Sequence, residues 1–515
     1  MPTIPRLLSE AAARWKDKPA LVAHDGAVSF AELDARATAV ARAFLAAGLR
    51  KGERVALWAP NMWEWVAVAV GAQRIGGVLV PLNTRLRGGE VADVVRRADV
   101  RFLVSIGDFL GRYYPDMLRD QDMPGLRATI VLRGAKTGDE SFERFLQRAA
   151  EADDALFAER AAGVTEYDVA DIMFTSGTTG LPKGAVFDHR RSIGGGRAWQ
   201  YISRLNADDR YCCFGPFSHN ASYKAGWIAG LLTGASIYWP EAYDAESILS
   251  LIAVNRITVM PAPPTVWLEA HAHPHRQDWD TSSLRYLSTG STTVPIELMK
   301  RLKRDMNIPV ISTGYGMTEC AGSATHTQDG DDIERLFHTV GCPLPGTEIK
   351  VVGADGRALP AGEAGEVLIR DDKLLIEYLD NPEATRATID ADGWLRSGDV
   401  GAMTPDGYLR ITDRMKDMYI VGGFNVYPAE IERQMSQLPG LHYCSIVGVP
   451  DQRLGEVGHA FVVRAAGSTL SEAEVIAWSK QNLANYKVPR GVTFVDELPM
   501  NASGKVLKFK LKDLV

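Results

Sequence analysis

The sequence predicts an α/β protein: a large N-terminal domain of layered α/β subdomains plus a β-rich subdomain, and a small α+β C-terminal domain. Three observations predict it. The first 110 residues alternate helical and strand signals, the pattern of a largely parallel sheet covered on both faces. From Thr347 that alternation gives way to short strands with Gly turns, as in Gly365–Arg370. A charged stretch at Asp413–Lys416 then sets the last part of the chain apart. The expected division is 1–413, a connector at 414–417, and 418–515.

Length and composition agree with this reading. At 515 residues the chain exceeds one core, because domains average roughly 150 residues. Hydrophobic residues at 46% and charged residues at 23% are ordinary for a globular protein. A net charge of −7 argues against a nucleic-acid-binding surface. Arg6, Glu10, Arg14, Lys16, Asp17 and Lys18 interrupt the N-terminus, so no signal peptide is expected there. No stretch approaches the roughly 18 apolar residues of a membrane span. The five cysteines lack C-x-x-C spacing and read as the reduced thiols of a cytoplasmic enzyme.

Taken in order, Phe30–Leu45 has helical apolar spacing behind Ser29, a natural N-cap. Arg54–Trp58 reads as a strand, Trp63–Gly77 as a helix, and Gly77–Pro81 as a strand again. The stretch 136–151 reads as solvated helix. Val169–Phe174 is an apolar strand that runs straight into Thr175, Ser176, Gly177, Thr178, Thr179, Gly180, Leu181, Pro182, Lys183 and Gly184. Those hydroxyls and glycines cannot pack a core but can wrap an anion. Glycine lets backbone N–H groups approach a ligand, and Lys183 adds a charge for a phosphate. The spacing is not that of the common P-loop.

Asp188–Ser192 should open a helix, in which Gly194–Gly196 implies either close packing or a break. Phe214–Gly226 places His219, Asn220, Tyr223 and Lys224 beside an apolar helix at Trp227–Leu232. Strands are expected near Ser236–Trp239, Ile257–Met260 and Leu284–Ser288. His271, His273 and His275 lack a carboxylate or thiolate at useful spacing, which argues against a metal. Two further loops follow strands: Thr289–Pro295, with Gly290, Ser291 and Thr292, and Ser312–Glu319, with Gly314, Tyr315, Gly316, Met317 and Thr318. The second offers an aromatic face, a hydroxyl and a carboxylate, which suit a base, a phosphate and a hydrated Mg²⁺. Asp399 suits two ribose hydroxyls.

Together these stretches resemble the adenylate-forming superfamily of acyl-CoA synthetases, luciferases and peptide-synthetase adenylation domains. The phosphate loop, Tyr315–Glu319, Ser397–Asp399, Asp413–Asp417, Gly422–Pro428 and Asn501–Lys505 occur in that family's order, over nearly the whole length. Pro216–Gly226, Asp413–Glu432 and Val449–Gly458 are similar to bacterial acid–CoA ligases, those acting on steroid-ring-fragment propionates included. The resemblance implies an AMP-forming acid–thiol ligase that uses ATP, Mg²⁺ and coenzyme A, with a hydrophobic carboxylic acid as substrate. That acid would be bulky and alicyclic, or a medium-to-long-chain fatty acid.

The resemblance also implies roles. Thr175 to Lys183 would hold the β- and γ-phosphates, Thr318 the α-phosphate, and Glu319 with Thr178 the Mg²⁺. Tyr315 would stack on adenine beside Gly290, Ser291 and Thr292, with Gly314, Gly316, Met317 and Ile411 around the nucleotide. Asp399 and Arg414 would hold the ribose. Lys505, on a mobile C-terminal domain, would stabilise charge growing between carboxylate and α-phosphate. That domain would swing about a hinge at Lys416 and bring Gly422, Gly423 and Phe424 to the CoA tunnel. His219, Asn220, Tyr223, Lys224 and Gly290 would line the acyl pocket.

Departures from the family pattern bear on substrate. Thr289, Gly290, Ser291 and Thr292 stand where relatives carry G-G-A-P, which implies a more polar wall. Asn220 stands where amino-acid-activating relatives have Asp, which argues against an amino acid. Lys224 suits an acid with a polar ring group such as a keto oxygen. Aryl-acid ligation, or loading of a carrier protein, is the alternative; no carrier domain follows Lys505, which favours free CoA. Self-association as a homodimer is compatible with the sequence.

Overall fold

A computed structural model of the chain describes residues 2–175, 182–290, 296–414, 417–422, 424–500 and 506–515. Among these, the strands form two large sheets, a smaller four-stranded antiparallel sheet, the sheet of the C-terminal unit, a three-stranded sheet that carries Gly314–Tyr315, and a two-stranded hairpin.

The first large sheet runs Glu377–Tyr378, Lys183–Asp188, Val169–Thr175, Val78–Pro81, Arg54–Trp58, Val100–Ser105, Ala128–Val131 and Glu140–Ser141. It is parallel from Val169–Thr175 onward, and its other two strands are antiparallel additions. The second runs Val310–Ser312, Tyr286–Ser288, Val259–Pro261, Arg210–Cys212, Ser236–Tyr238, Pro19–Ala23 and Gly26–Ser29. All its pairs are parallel except the last, a hairpin. The alternation of strand and helix that the sequence shows is therefore the record of crossover connections.

Local chemistry sets the helix ends. Ser29 Oγ accepts the Glu32 N–H at 3.2 Å, and Glu32 Oε2 accepts the Ser29 N–H at 2.8 Å, a closed capping box at the start of Phe30–Ala46. Asp188 caps His189–Ser203 through the Arg191 N–H at 2.7 Å. The helix Trp63–Arg74 is buried from Glu64 to Arg74, so it is apolar on nearly every face and lies between layers. At Gly71 a Cβ would meet Val40 Cγ1 at 2.7 Å and Ala37 O at 2.9 Å, so glycine lets it cross Phe30–Ala46 closely.

Gly194–Gly196 does not break its helix; His189–Ser203 is continuous. A Cβ on Gly195 would meet Ala321 O at 2.6 Å, and one on Gly196 would meet Ile228 Cγ2 at 2.9 Å. Close packing, then, explains Gly195 and Gly196. The segment read as a plain apolar helix at Trp227–Leu232 is different. It comprises a short turn Asn220–Ser222, a π-helical turn Tyr223–Ile228, and Ala229–Thr233. Gly226 takes φ −92°, ψ −105° there, and a Cβ on it would meet Cys213 Sγ at 2.9 Å.

The smaller antiparallel sheet orders Glu348–Val352, Gly365–Arg370, Leu395–Met403 and Leu409–Arg414. In the C-terminal unit Phe424–Val426, Tyr419–Val421, Gly455–Arg464 and Leu441–Asp451 pair in that order, with Gly491–Phe494 parallel to Gly455–Arg464. Its core gathers Tyr419, Val426, Ile431, Met435, Ile446, Ala460, Val462 and Val475.

Candidate active site

Strand Val169–Thr175 and its antiparallel neighbour Lys183–Asp188 pair up to Thr175 opposite Lys183. The two strands are thus antiparallel neighbours right up to Thr175 and Lys183, the ends of the phosphate-loop motif that the structure describes. Ser176, Gly177, Thr178, Thr179 and Gly180 lie outside the described residues. Thr175 Oγ1 donates to the Lys183 carbonyl at 3.3 Å, closing the hairpin base. The Lys183 ammonium stands 5.0 Å from the centre of the Tyr378 ring. The Tyr378 hydroxyl in turn donates to Glu319 Oε1 at 2.7 Å. Leu375 N–H donates to the Glu319 carbonyl and Leu379 N–H to the Gly184 carbonyl, so residues 375–379 strap Glu319 to the hairpin. Burial, and then the Glu319 carboxylate, hold the Tyr378 phenol far above its ordinary range, so it is a permanent donor.

The second cluster is built on Gly314–Tyr315 and the single turn Thr318–Cys320. Gly314 packs on His326, where a Cβ would sit 2.5 Å from Cδ2, and Gly316 packs on Gly322, where one would sit 2.0 Å from the carbonyl oxygen. No larger residue fits either place. The Tyr315 hydroxyl donates to Asp399 Oδ2 at 2.5 Å, and Asp399 N–H donates to Ser397 Oγ at 3.1 Å. Asp399 lies opposite Arg414 in the ladder of Leu395–Met403 with Leu409–Arg414, the strand that also carries Ile411. Burial, then the Asp399 carboxylate, raise the Tyr315 phenol well above its usual range. Met317 caps the turn, its carbonyl accepting from Cys320 and Gly322 N–H. Gly290 follows strand Tyr286–Ser288, within 3.7 Å of the Gly314 carbonyl if a Cβ were added.

A third wall is the helix after Phe217. His219 is the exposed N-cap of this helix, its Nδ1 accepting the Ala221 N–H at 3.3 Å; desolvation by the neighbouring protein still lowers its pKa. Asn220 is buried, and its Nδ2 donates to the Thr318 carbonyl at 3.3 Å. Thus the helix start, the Thr318–Cys320 turn and the hairpin base meet at one place. An aromatic ring, two carboxylates and a lysine thus gather near strand ends, a set of groups whose chemistry suits the base, ribose and phosphates of a nucleotide.

A family model described as AMP-binding enzyme matches residues 8–379, and one described as AMP-binding enzyme C-terminal domain matches residues 430–505. The chain belongs to the AMP-binding enzyme family. A curated relative from Mycobacterium tuberculosis H37Rv, named a methyl-dioxo-octahydroindenyl-propanoyl:CoA ligase, is 43% identical over 99% of this chain and 99% of its own. A ligase of the same name from Rhodococcus jostii RHA1 is 40% identical over 99% of this chain and 98% of its own. The crystal structure of the anthranilate CoA ligase AuaEII in complex with anthranoyl-AMP superposes with a TM-score of 0.90 at 29% identity, covering 100% of this chain and 97% of that one.

Within this AMP-binding enzyme two expected pocket residues need correction. Lys224 does not face an acid: it is 0% exposed, ion-paired with Asp171 Oδ1 at 3.1 Å and 3.1 Å from the centre of the Phe187 ring. Tyr223 is equally buried, its hydroxyl donating to Asp171 Oδ2 at 3.1 Å and accepting from Gln73 Nε2 at 3.1 Å. The π-helical turn swings both side chains toward the sheet instead of the cleft. Ser291, Thr292, Lys416, Gly423 and Lys505 lie outside the described residues. Gly422 has φ +56° and its N–H donates to the Leu454 carbonyl at 2.8 Å; Phe424 opens the next strand. Among the described residues no group of three or more His, Cys, Asp or Glu is placed to hold a metal. His271 instead meets Asp305 Oδ2 through Nε2 at 2.8 Å.

Sequence reasoning missed three residues. Tyr378 and His326 leave no local signal, since a lone Tyr or His in a short strand is usually packing. Asp171 did leave one: a charge inside an apolar strand must find a partner.

Proposed function

We propose that this AMP-forming acid–thiol ligase activates a hydrophobic carboxylic acid carried on a fused alicyclic ring system, a propionate of the steroid-ring-fragment kind. The observation that carries the reading is the end-to-end identity of 43% and 40% with two ligases named for a methyl-dioxo-octahydroindenyl propanoate. A medium-to-long-chain fatty acid belongs to the same hydrophobic class and is the competing substrate.

In this reading a carboxylate oxygen attacks the α-phosphorus of ATP and pyrophosphate leaves. The thiol sulfur of coenzyme A then attacks the acyl carbon and AMP leaves. Lys183 and the loop from Thr175 neutralise the β- and γ-phosphates, and Thr318 meets the α-phosphate. Tyr315 packs on adenine while Asp399 and Arg414 take the ribose. His219 and Asn220, at the helix start beside Thr318, border the carboxylate. Lys505 supplies the charge that stabilises the adenylation transition state, and the segment with Gly422 and Gly423 borders the thiol's approach. Glu319 presents a hard oxygen donor whose other oxygen is already held by Tyr378. One oriented carboxylate fits Mg²⁺, which keeps several waters and takes phosphate oxygens for the rest. Thr178 is the second residue assigned to that ion.

An aryl-acid ligase is the second reading. The 0.90 TM-score with a protein holding an aryl adenylate supports it. AMP release with ATP, Mg²⁺ and CoA, measured over fused-ring, straight-chain and aryl acids, tests both. The fused-ring propionate is expected to give the largest kcat/KM. A tenfold preference for straight-chain or aryl acids would overturn the proposal in favour of the corresponding class.

A further inference from the structure

Beneath the cleft lies a polar cluster that the reaction as described does not use. Asp171 is the charged residue of the strand Val169–Thr175, which continues directly into the phosphate loop. Its Oδ1 meets the Lys224 ammonium at 3.1 Å, and its Oδ2 accepts from Ser192 Oγ at 2.5 Å and Tyr223 hydroxyl at 3.1 Å. Gln73 Nε2 donates both to that hydroxyl and to the Ala170 carbonyl at 3.0 Å. Asp171, Ser192, Tyr223, Lys224 and Gln73 are each at most 0% exposed. The helix His189–Ser203 and the π-helical turn therefore converge on a carboxylate of the phosphate-loop strand, and helix Trp63–Arg74 joins them through the Tyr223 hydroxyl.

A buried ion pair is a poor source of stability, because desolvating both charges offsets their attraction. Well-packed apolar side chains would serve a core at least as well. What the pair supplies here is a fixed distance. Lys224 lies four residues beyond Asn220, whose amide holds the Thr318 carbonyl. The same short helix is pinned at one end to the α-phosphate turn and at the other to the strand that feeds the phosphate loop. Its π-helical turn aims the adjacent Tyr223 and Lys224 at one carboxylate, which a regular helix, rotating about 100° per residue, would not do.

We propose that Lys224 is a positioning residue of the adenylation step: through Asp171 it fixes the helix start bearing His219 and Asn220 against the phosphate-loop strand, so that the acid is held in line with the α-phosphorus. This rests on the reading of that helix start as the carboxylate side of the cleft. The ammonium never touches substrate. Desolvation lowers the Lys224 pKa to about 8 even with Asp171, Asp188 and Cys320 favouring the charge, while burial raises Asp171.

The experiment compares wild type with the double variant Asp171→Asn, Lys224→Met in full-length protein. It reads thermal midpoint, kcat and ATP KM in ATP–pyrophosphate exchange driven by the best acid of the panel. The double variant is expected to melt at or above the wild-type temperature. Its kcat should fall between about tenfold and a hundredfold with ATP KM within about twofold, since misplacement by an ångström costs on that order. Wild-type kcat in the folded double variant would overturn the proposal. Should that variant fail to fold, Ser192→Ala removes one donor to the same carboxylate and strands no charge. It is expected to lower kcat about threefold, the worth of one hydrogen bond, and an unchanged kcat would overturn the proposal in its turn. A wild type that exchanges pyrophosphate with no acid of the panel would instead defeat the proposed function.

Discussion

At the scale of single residues the cleft depends on side chains that hold other side chains. Tyr378 is the clearest. Its hydroxyl fixes one oxygen of Glu319 at 2.7 Å, and its ring faces the Lys183 ammonium. A free glutamate on a one-turn helix samples several rotamers; donation from a buried phenol leaves one. Partners that orient a metal ligand typically matter by about 10–100-fold in metal affinity or activity. Tyr378→Phe keeps the ring and deletes only the donor. With Glu319 as the proposed Mg²⁺ ligand, the expected result is a rise of about tenfold in the Mg²⁺ concentration for half-maximal adenylation, with little change in fold, because the ring and its packing remain. An unchanged Mg²⁺ titration would show that Glu319 does not need its partner. Asp399 is held in the same manner by Tyr315, so the base and ribose contacts proposed for these two residues would be coupled through one hydrogen bond.

At the scale of elements, the helix His189–Ser203 shows how glycine sets a site's geometry. Glycine within a helix costs about 1 kcal/mol relative to alanine, so three in a row call for a reason. The added methyl of Gly195→Ala would fall 2.6 Å from the Ala321 carbonyl, a backbone atom next to the Thr318–Cys320 turn, and 3.1 Å from Lys224 Cβ. That overpacking costs about 1–3 kcal/mol and outweighs the propensity gain. Gly194→Ala meets only the Lys373 side chain, at 3.2 Å, and there the two effects nearly cancel. A thermal melt is expected to fall by several degrees for Gly195→Ala and to stay close to wild type for Gly194→Ala, and the reverse order would refute the packing argument. This pair also marks what is legible in sequence. Capping by Ser29 and Asp188, the strands of the parallel sheet and the change to a β-rich region at Thr347 were readable because each rests on local chemistry. The direction of Lys224 was not. Helical spacing places a residue on a face only while the helix stays regular, and the π-helical turn at Tyr223–Ile228 moves it to another. Tyr378 was unreadable for a different reason, since its partner Glu319 is brought to it by a sheet edge and a strap rather than by spacing.

At the scale of the whole molecule, the N-terminal unit closes around groups that must remain neutral, and this gives its stability a pH dependence. His189 is the first residue of His189–Ser203 and its Nδ1 accepts the Ile4 N–H at 3.3 Å, tying the N-terminal helix Ile4–Trp15 to the core. Protonation would place an N–H against that donor. Burial accordingly lowers its pKa from 6.5 to about 4, with Asp168 offsetting part of the effect. His326, under Gly314, is lowered to about 4 by the same cause. For each, the folded-state pKa lies below the unfolded one, so between pH 4 and 6.5 the unfolded chain binds the additional proton. Stability from these groups is complete above pH 6.5 and declines as pH falls toward 4, by up to about 3 kcal/mol apiece. His189→Gln retains an acceptor for Ile4 and has no proton to gain. Its melting temperature is expected to fall less steeply than that of wild type between pH 7 and pH 4.5, the two curves converging as the buffer becomes more acidic. Parallel curves would mean that the joint between the first helix and the core stays closed when His189 is charged, and that acid lability of this enzyme arises elsewhere.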